Sequence, residues 1–278
     1  MVFSRAFDGE LTFLQKVENN FGGISGMQQS LDISGYDTLD ESFVVVNTTG
    51  SKMFAFSRNP ITGVLTYLGD YNESSGKIIS SEMNDKIYFC SASVNSATIK
   101  TLQLSSSLPE PIEEVDSDGI AGVTGCGGLE LSIDESHLLR MAKTSKKVIS
   151  YNVNPINGTL DLQLLYPPSQ VENMVHVTSI TSANDSPHVY VTSNQSNSIS
   201  TFFRQPNGEL TPMDSFVYVD DGISGIDGLT FVFDLAISND GDHVYTAGYL
   251  DSGVGHFTRN SNPGSALHGL LTYQDIYK

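Results

Sequence analysis

One phrase recurs along the whole chain at intervals of about fifty residues, and that recurrence limits the fold more than any other feature. The phrase is an aromatic or apolar pair, often with Arg, then a turn containing Gly, then Leu and Thr. It reads VFSRAFDGELTF at 2–13, AFSRNPITGVLTY at 55–67, SYNVNPINGTLDL at 150–162 and FFRQPNGELTP at 202–212. HFTRNSNPGSALHGLLTY at 256–273 is a decayed copy, and TLQLSSSLPEPIEEV at 101–115 fills the remaining slot. Anchored on Phe3, Phe56, Leu102, Tyr151, Phe203 and Phe257, successive copies lie 46 to 54 residues apart. Repeats of ~40–50 residues with several strands each belong to β-propellers.

Two more strands precede each phrase. One alternates Val, Ile and Tyr, as in SFVVVN (42–47), KIYFCSA (86–92), HVYVTSN (188–194) and HVYTAGY (243–249). The other comes just before it, as in SLDIS (30–34), LELSI (129–133), HVTSI (176–180) and DLAIS (234–238). Turns rich in Asp, Asn and Gly separate the two, a strong hairpin signal. Each unit therefore reads as strands a, b, c and d of one blade. The chain opens on c and d alone and then carries five complete sets. The expectation is an all-β fold: a single β-propeller domain over 1–278 of about six four-stranded blades, an N-terminal half-blade at 1–20 followed by five full blades. A seven-bladed or incomplete ring is the alternative. An exposed strand edge invites pairing, so a protein partner or self-association through the incomplete first blade is also expected.

The formal charge of −18 at pH 7 repels nucleic acid and anionic membrane surfaces, which excludes both as partners. No apolar run reaches the ~18 residues of a membrane-crossing helix. No signal peptide is recognisable. Charged residues are only 17% of the chain, so the polar surface falls to Ser, Thr, Asn and Gly, which suit tight turns and not long helices. Two cysteines, Cys90 and Cys126, make neither a disulfide framework nor a zinc site, and a single bridge between them is left open by the sequence.

HVYVTS at 188–193, SNDGDHVYTAG at 238–248 and DDGISGIDGL at 220–229 resemble the repeats of lactonase-type β-propellers and of the related YVTN-type surface-layer propellers. The resemblance is clearest over about 185–260 and faint over about 70–180. It implies a propeller of this blade type; the superfamily includes sugar-lactone hydrolases and also propellers without known chemistry, and fold alone does not carry function.

Candidate sites follow from the face that the b–c loops and d–a connections are expected to share. Asp220, Asp221 and Asp227 put three carboxylates on a Gly-rich connection, the oxygen-rich, flexible setting that calcium takes; the competing reading is turn residues alone. His176 at the head of a strand a, with Glu172 four residues earlier, forms a candidate general base for water attack on a lactone. Arg140 and Lys143 belong to the one basic cluster of an acidic chain, and with Asp251 on the same face they are candidates for holding a small-molecule ligand. His188 and His243 share one repeat position, as do Arg5, Arg58, Arg204 and Arg259, which suggests structural tasks. No GxSxG, HExxH or phosphate loop is present. The sequence thus favours a non-enzymatic propeller for binding or assembly in a secreted or cell-surface setting. A lactonase-like hydrolase acting on a sugar lactone and a calcium-stabilised binding module are the alternatives.

Overall fold

The protein is described from a computed structural model that covers residues 1–5, 10–37, 42–50, 52–72, 76–81, 83, 85–91, 98–103, 110–115, 125–143, 147–166, 174–220 and 224–278. All regular structure among these residues is antiparallel β. No helix is long and apolar enough to cross a membrane.

The strands fall into five four-stranded sheets and one of two strands, each a simple meander in chain order. β1 (Val2–Arg5) and β2 (Leu11–Gln15) form the two-stranded sheet. β3 (Ser30–Asp37), β4 (Ser42–Thr48), β5 (Lys52–Arg58) and β6 (Leu65–Asn72) form the next. β7 (Gly76–Ser81), β8 (Lys86–Ser91), β9 (Ile99–Gln103) and β10 (Glu110–Val115) follow. β11 (Cys126–Leu131), β12 (His137–Ala142), β13 (Val148–Val153) and β14 (Leu160–Tyr166) make the fourth. β15 (Val177–Ser182), β16 (His188–Ser193), β17 (Ser198–Arg204) and β18 (Leu210–Val219) make the fifth. β19 (Val232–Ile237), β20 (His243–Gly248), β21 (Gly253–Arg259) and β22 (Leu271–Tyr277) make the last. These sheets are the blades of a β-propeller, and the repeating phrase of the sequence is its c–d hairpin.

The chain divides into two compact units, Met1–Ser117 with Pro155–Thr159, and Asp118–Asn154 with Leu160–Lys278. In the first, the sheets of β3–β6 and β7–β10 bury a shared layer that includes Phe43, Val45, Ile87 and Phe89. Their inner strands are tied by side chains: Ile78 N–H donates to Asp32 Oδ2 at 3.0 Å, and Ser80 N–H to Ser34 Oγ at 3.1 Å.

The second unit stacks three sheets. Leu139, Met141, Val189 and Phe202 fill one seam, and Tyr190, Ile199, Val244 and Phe257 the next. Strands β12 and β16 are buried at every residue, and β16 has a packed seam on each of its faces. Each fully buried apolar side chain of that kind contributes about 1.5–3 kcal/mol. The inner strands approach closely at the glycines of the GCGGL stretch: a Cβ on Gly127 would meet the Val177 carbonyl oxygen at 2.3 Å, and one on Gly128 the Ile180 Cγ2 at 2.7 Å. This stretch is therefore the start of inner strand β11 and not only a connection.

The seams also carry a polar code. In β12 and β16 the first residue is a histidine, and the c–d hairpin of the following sheet lays an arginine and a glycine against it. Arg204 lies 3.7 Å from Asp134, and its Nη1 is 3.5 Å from His137 Nδ1. Arg259 pairs with Asp185 at 2.9 Å and donates through Nε to the Tyr190 hydroxyl at 2.9 Å. Gly208 and Gly269 pack on the rings of His137 and His188, where a Cβ would come within 2.3 and 2.5 Å.

Candidate functional site

The site is built at the entry ends of the inner strands of the second unit. The residue before each inner strand has left-handed backbone: Gly125 at φ 66°, His176 at φ 60° and Phe231 at φ 54°. In each case its carbonyl accepts an N–H from the residue just past strand b, from Lys143, Asn194 and Tyr249 respectively. The three sheets thus share one entry geometry, and what differs is the side chain displayed there.

At the middle sheet that side chain is an imidazole. His176 is half-buried, and its Nδ1 lies 2.9 Å from Oδ1 of Asn194, which is 3% exposed. A carboxamide oxygen only accepts, so Nδ1 carries the proton and Nε2 keeps its lone pair. A base whose second nitrogen is anchored by a buried neighbour is the arrangement a general base needs. Glu172, the proposed companion, lies outside the described residues.

At the adjacent sheet the carboxylates of Asp220, Asp227 and Asp251 converge, with one oxygen from each within 4.8 Å of the others. The sequence separates them by up to 31 residues, and the hairpin ends bring them together. Thr230 fastens two of them: its hydroxyl donates to Asp220 Oδ2 at 2.9 Å and its N–H to Asp251 Oδ2 at 2.8 Å. Asp227 Oδ1 accepts from Gly228 N–H at 2.9 Å, and Asn197 Oδ1 accepts from Phe231 N–H at 2.9 Å. The cluster can offer oxygens to a hard cation. Asp221 lies outside the described residues, and Asp251, singled out as a ligand-holding residue, takes its place in the triad. Beside it Phe231, Phe233 and Tyr249 pack edge to face or tilted, with centroids 5.6 to 6.3 Å apart, and Tyr249 is 66% exposed.

The basic pair is placed differently. Arg140 is fully buried on β12, with Nη2 donating to the Gly125 carbonyl at 3.2 Å. Lys143 is half-buried just past the same strand. Both sit two sheets from Asp251 in chain order. The physical reason is that every residue of β12 is buried, so a charge within it is enclosed and not displayed.

Sequence reasoning missed the polar residues of the inner strands themselves. Glu130 on β11 accepts the Ser182 N–H at 2.7 Å, and burial pushes its carboxyl up to about 7 against that hydrogen bond. Ser179 on β15 donates to Asp234 Oδ1 on β19 at 2.6 Å. The signal available was an acid flanked by apolar residues in several of the strands a, as in LDI of β3, LEL of β11 and FDL of β19.

No protein-family description matches the chain, and no curated protein matches it in sequence. Solved structures match its fold. One is a putative 6-phosphogluconolactonase from Bacteroides fragilis, with TM-score 0.71 and 14% identity, covering 97% of this chain and 74% of that one. A second is a putative 6-phosphogluconolactonase from Bacteroides uniformis, with TM-score 0.67 and 15% identity over 87% of this chain and 70% of that one. A third is the periplasmic gluconolactonase of Pseudomonas aeruginosa, with TM-score 0.70 and 18% identity over 99% of this chain and 77% of that one. The chain has the fold of these lactonase-type propellers.

This corrects the expectation of a non-enzymatic propeller for binding or assembly. The neighbours bear lactonase names and favour the hydrolase alternative. The non-enzymatic expectation rests on the absence of a linear catalytic motif. A site assembled from the ends of separate strands leaves none: His176 and its anchor Asn194 stand 18 residues apart.

Proposed function

We propose that the protein is a hydrolase of an uncharged sugar lactone, working at the strand-entry face of the second unit. Two things support this: the lactonase-type fold, and above all the His176–Asn194 pair, which leaves Nε2 of the imidazole as a fixed base. In this reading Nε2 takes a proton from water while the oxygen adds to the lactone carbonyl. The tetrahedral adduct then breaks its ring C–O bond, and the imidazolium returns the proton to the departing alkoxide. The product is the open hydroxy acid. A positioned base of this kind contributes ~10²–10⁴-fold.

The carboxylates of Asp220, Asp227 and Asp251 decide between substrates. Their field repels a phosphorylated sugar and tolerates a neutral one, so gluconolactone is favoured over its 6-phospho form. The exposed face of Tyr249, with Phe231 and Phe233, is a platform for the apolar side of a sugar ring. The acidic triad is also the place for a calcium ion, which takes oxygen ligands from several points of a flexible loop. A secreted or periplasmic home fits the reading: neither cysteine is a free thiol, as in oxidising compartments, and one fold neighbour is itself periplasmic.

The test is acid release from gluconolactone and from 6-phosphogluconolactone, followed by pH-stat. The wild type should turn over the uncharged lactone at least tenfold faster, and His176→Gln should lose ~10²-fold or more in kcat. Equal rates for wild type and His176→Gln, or no turnover by either, sink the assignment.

A further inference from the structure

His243 occupies the repeat position of His137 and His188 but has a different companion. In the earlier sheets the ring nitrogen Nδ1 faces a turn hydroxyl: Ser136 Oγ lies 2.7 Å from that of His137, and Ser186 Oγ 2.9 Å from that of His188. In the last sheet Nδ1 of His243 faces Nε2 of His256 at 3.0 Å. The position of His256 is held in the preceding sheet by Thr201, which like it pairs with the strand-b tyrosine and is buried. His188 also meets an imidazole, that of His268, but edge to face at 4.6 Å; among the described residues a direct nitrogen-to-nitrogen contact is particular to His243 and His256.

Its surroundings hold one ring in place. His256 stacks on Tyr245, with centroids 5.0 Å apart and planes within 13°, and on Tyr277 at 6.0 Å and 29°. The Tyr277 hydroxyl lies 3.4 Å from His256 Nδ1. A ligand histidine is commonly fixed in this way, its second nitrogen held so that the first presents a lone pair. Two imidazole nitrogens 3.0 Å apart subtend roughly 90° at an ion bound at about 2.1 Å. That is the cis edge of a tetragonal or octahedral site, the preference of copper(II) and nickel(II). Asp275 pairs directly opposite His256 and adds an exposed carboxylate to the same row.

We propose that His243 Nδ1 and His256 Nε2 form a surface chelate for a divalent transition ion of the copper or nickel class, separate from the acidic triad and from the lactonase reading. Binding exchanges the N–H···N hydrogen bond for two nitrogen–metal bonds, the shared proton moving to the other nitrogen of His243. Remaining positions on the ion are left to water.

The experiment is copper(II) titration of the full chain, read by calorimetry and by electron paramagnetic resonance. The wild type should bind one equivalent showing hyperfine coupling to two nitrogens. His243→Gln and His256→Gln should each weaken that binding at least tenfold and leave coupling to no more than one nitrogen. Asp227→Asn should leave it unchanged, and apo melting curves should show that all variants are folded. Unaltered copper affinity in folded His256→Gln, an all-oxygen signal, or no binding by the wild type overturns the proposal.

Discussion

The Arg259 guanidinium lies 2.9 Å from the Asp185 carboxylate, across the seam between two sheets, and the arginine side chain is wholly shielded from solvent. The same group donates to the Gly241 carbonyl at 2.8 Å and to the Tyr190 hydroxyl. Arg204 holds the equivalent place one seam earlier, but reaches a largely exposed Asp134 at 3.7 Å. Asp185 is itself 35% exposed and keeps access to water, so the cost of removing Arg259 falls on the shielded Gly241 carbonyl and Tyr190 hydroxyl that lose their donor, whereas an exposed pair contributes little. Arg259→Ala should therefore lose about 2 kcal/mol, and Arg204→Ala less than about 1 kcal/mol through its ion pair. Urea unfolding of the two variants measures the contrast, and equal losses would contradict it.

The glycine of each c–d hairpin is required twice over at Gly269. Its φ is 84°, and a Cβ would sit 2.5 Å from the His188 ring. Left-handed strain and overpacking act together there, so Gly269→Ala should cost about 2 kcal/mol or more. A Gly22→Ala control, with left-handed φ but open space around it, should cost less. Thermal melts rank the two.

Two groups, His188 buried and Glu130 partly so, give stability opposing pH slopes. Burial, with help from His268 and Arg259, lowers His188 to about 4 from the ordinary 6.5 of an imidazole. A depressed histidine stabilises the fold above pH 6.5, and that stability is lost as pH falls toward 4. Glu130 is raised from 4.5 to about 7, so its contribution is present below pH 4.5 and lost as pH rises toward 7. Denaturant unfolding between pH 4 and 7 should show a shallow net slope. Glu130→Gln should make stability climb with pH, and His188→Asn should make it fall. Parallel curves for the two variants would refute the assignment of slopes.

Asn194 should act on the reaction only through His176. Asn194→Leu removes the oxygen that holds Nδ1–H, freeing the ring to adopt the other tautomer. The expected result is a drop of ~10-fold or more in kcat with KM nearly unchanged, and a displaced acid limb of the pH–rate profile. A variant that alters KM alone argues that Asn194 holds substrate instead.

Calcium should raise the melting temperature, and chelator should reverse the rise, since an ion that binds only the folded chain stabilises it by about 2.7 kcal/mol at a hundred times its Kd. Asp251→Asn and Asp227→Asn should shrink the effect. Superimposable melts with and without calcium assign the triad to turn-holding alone.

The blades were legible from sequence because their signals are local. Asp-, Asn- and Gly-bearing turns between alternating runs marked the hairpins, and the c–d phrase gave the period. The site was legible only in part. Asp220 and Asp227 shared a visible loop, but Asp251 joins them through Thr230, a contact between a strand-b turn and a blade connection that no spacing rule anticipates. The charge of Arg140 is visible in the sequence, while its complete burial comes from the packing of β12, which no local signal carries. Glu130 went unnoticed because its meaning comes from Ser182 on the neighbouring inner strand, 52 residues away.

The left-handed residue ahead of each inner strand has a consequence for how such a protein acquires new chemistry. Its bond to the strand-b exit is made by main-chain atoms alone, identically for Gly125, His176 and Phe231. Each of these three sheets therefore offers an interchangeable socket, whose occupant is free to vary while the hairpin stays in register. Exchanging the occupants of 176 and 231 would carry an imidazole to the next sheet and set it beside three acids, a route by which duplication could relocate reactivity without rebuilding the scaffold.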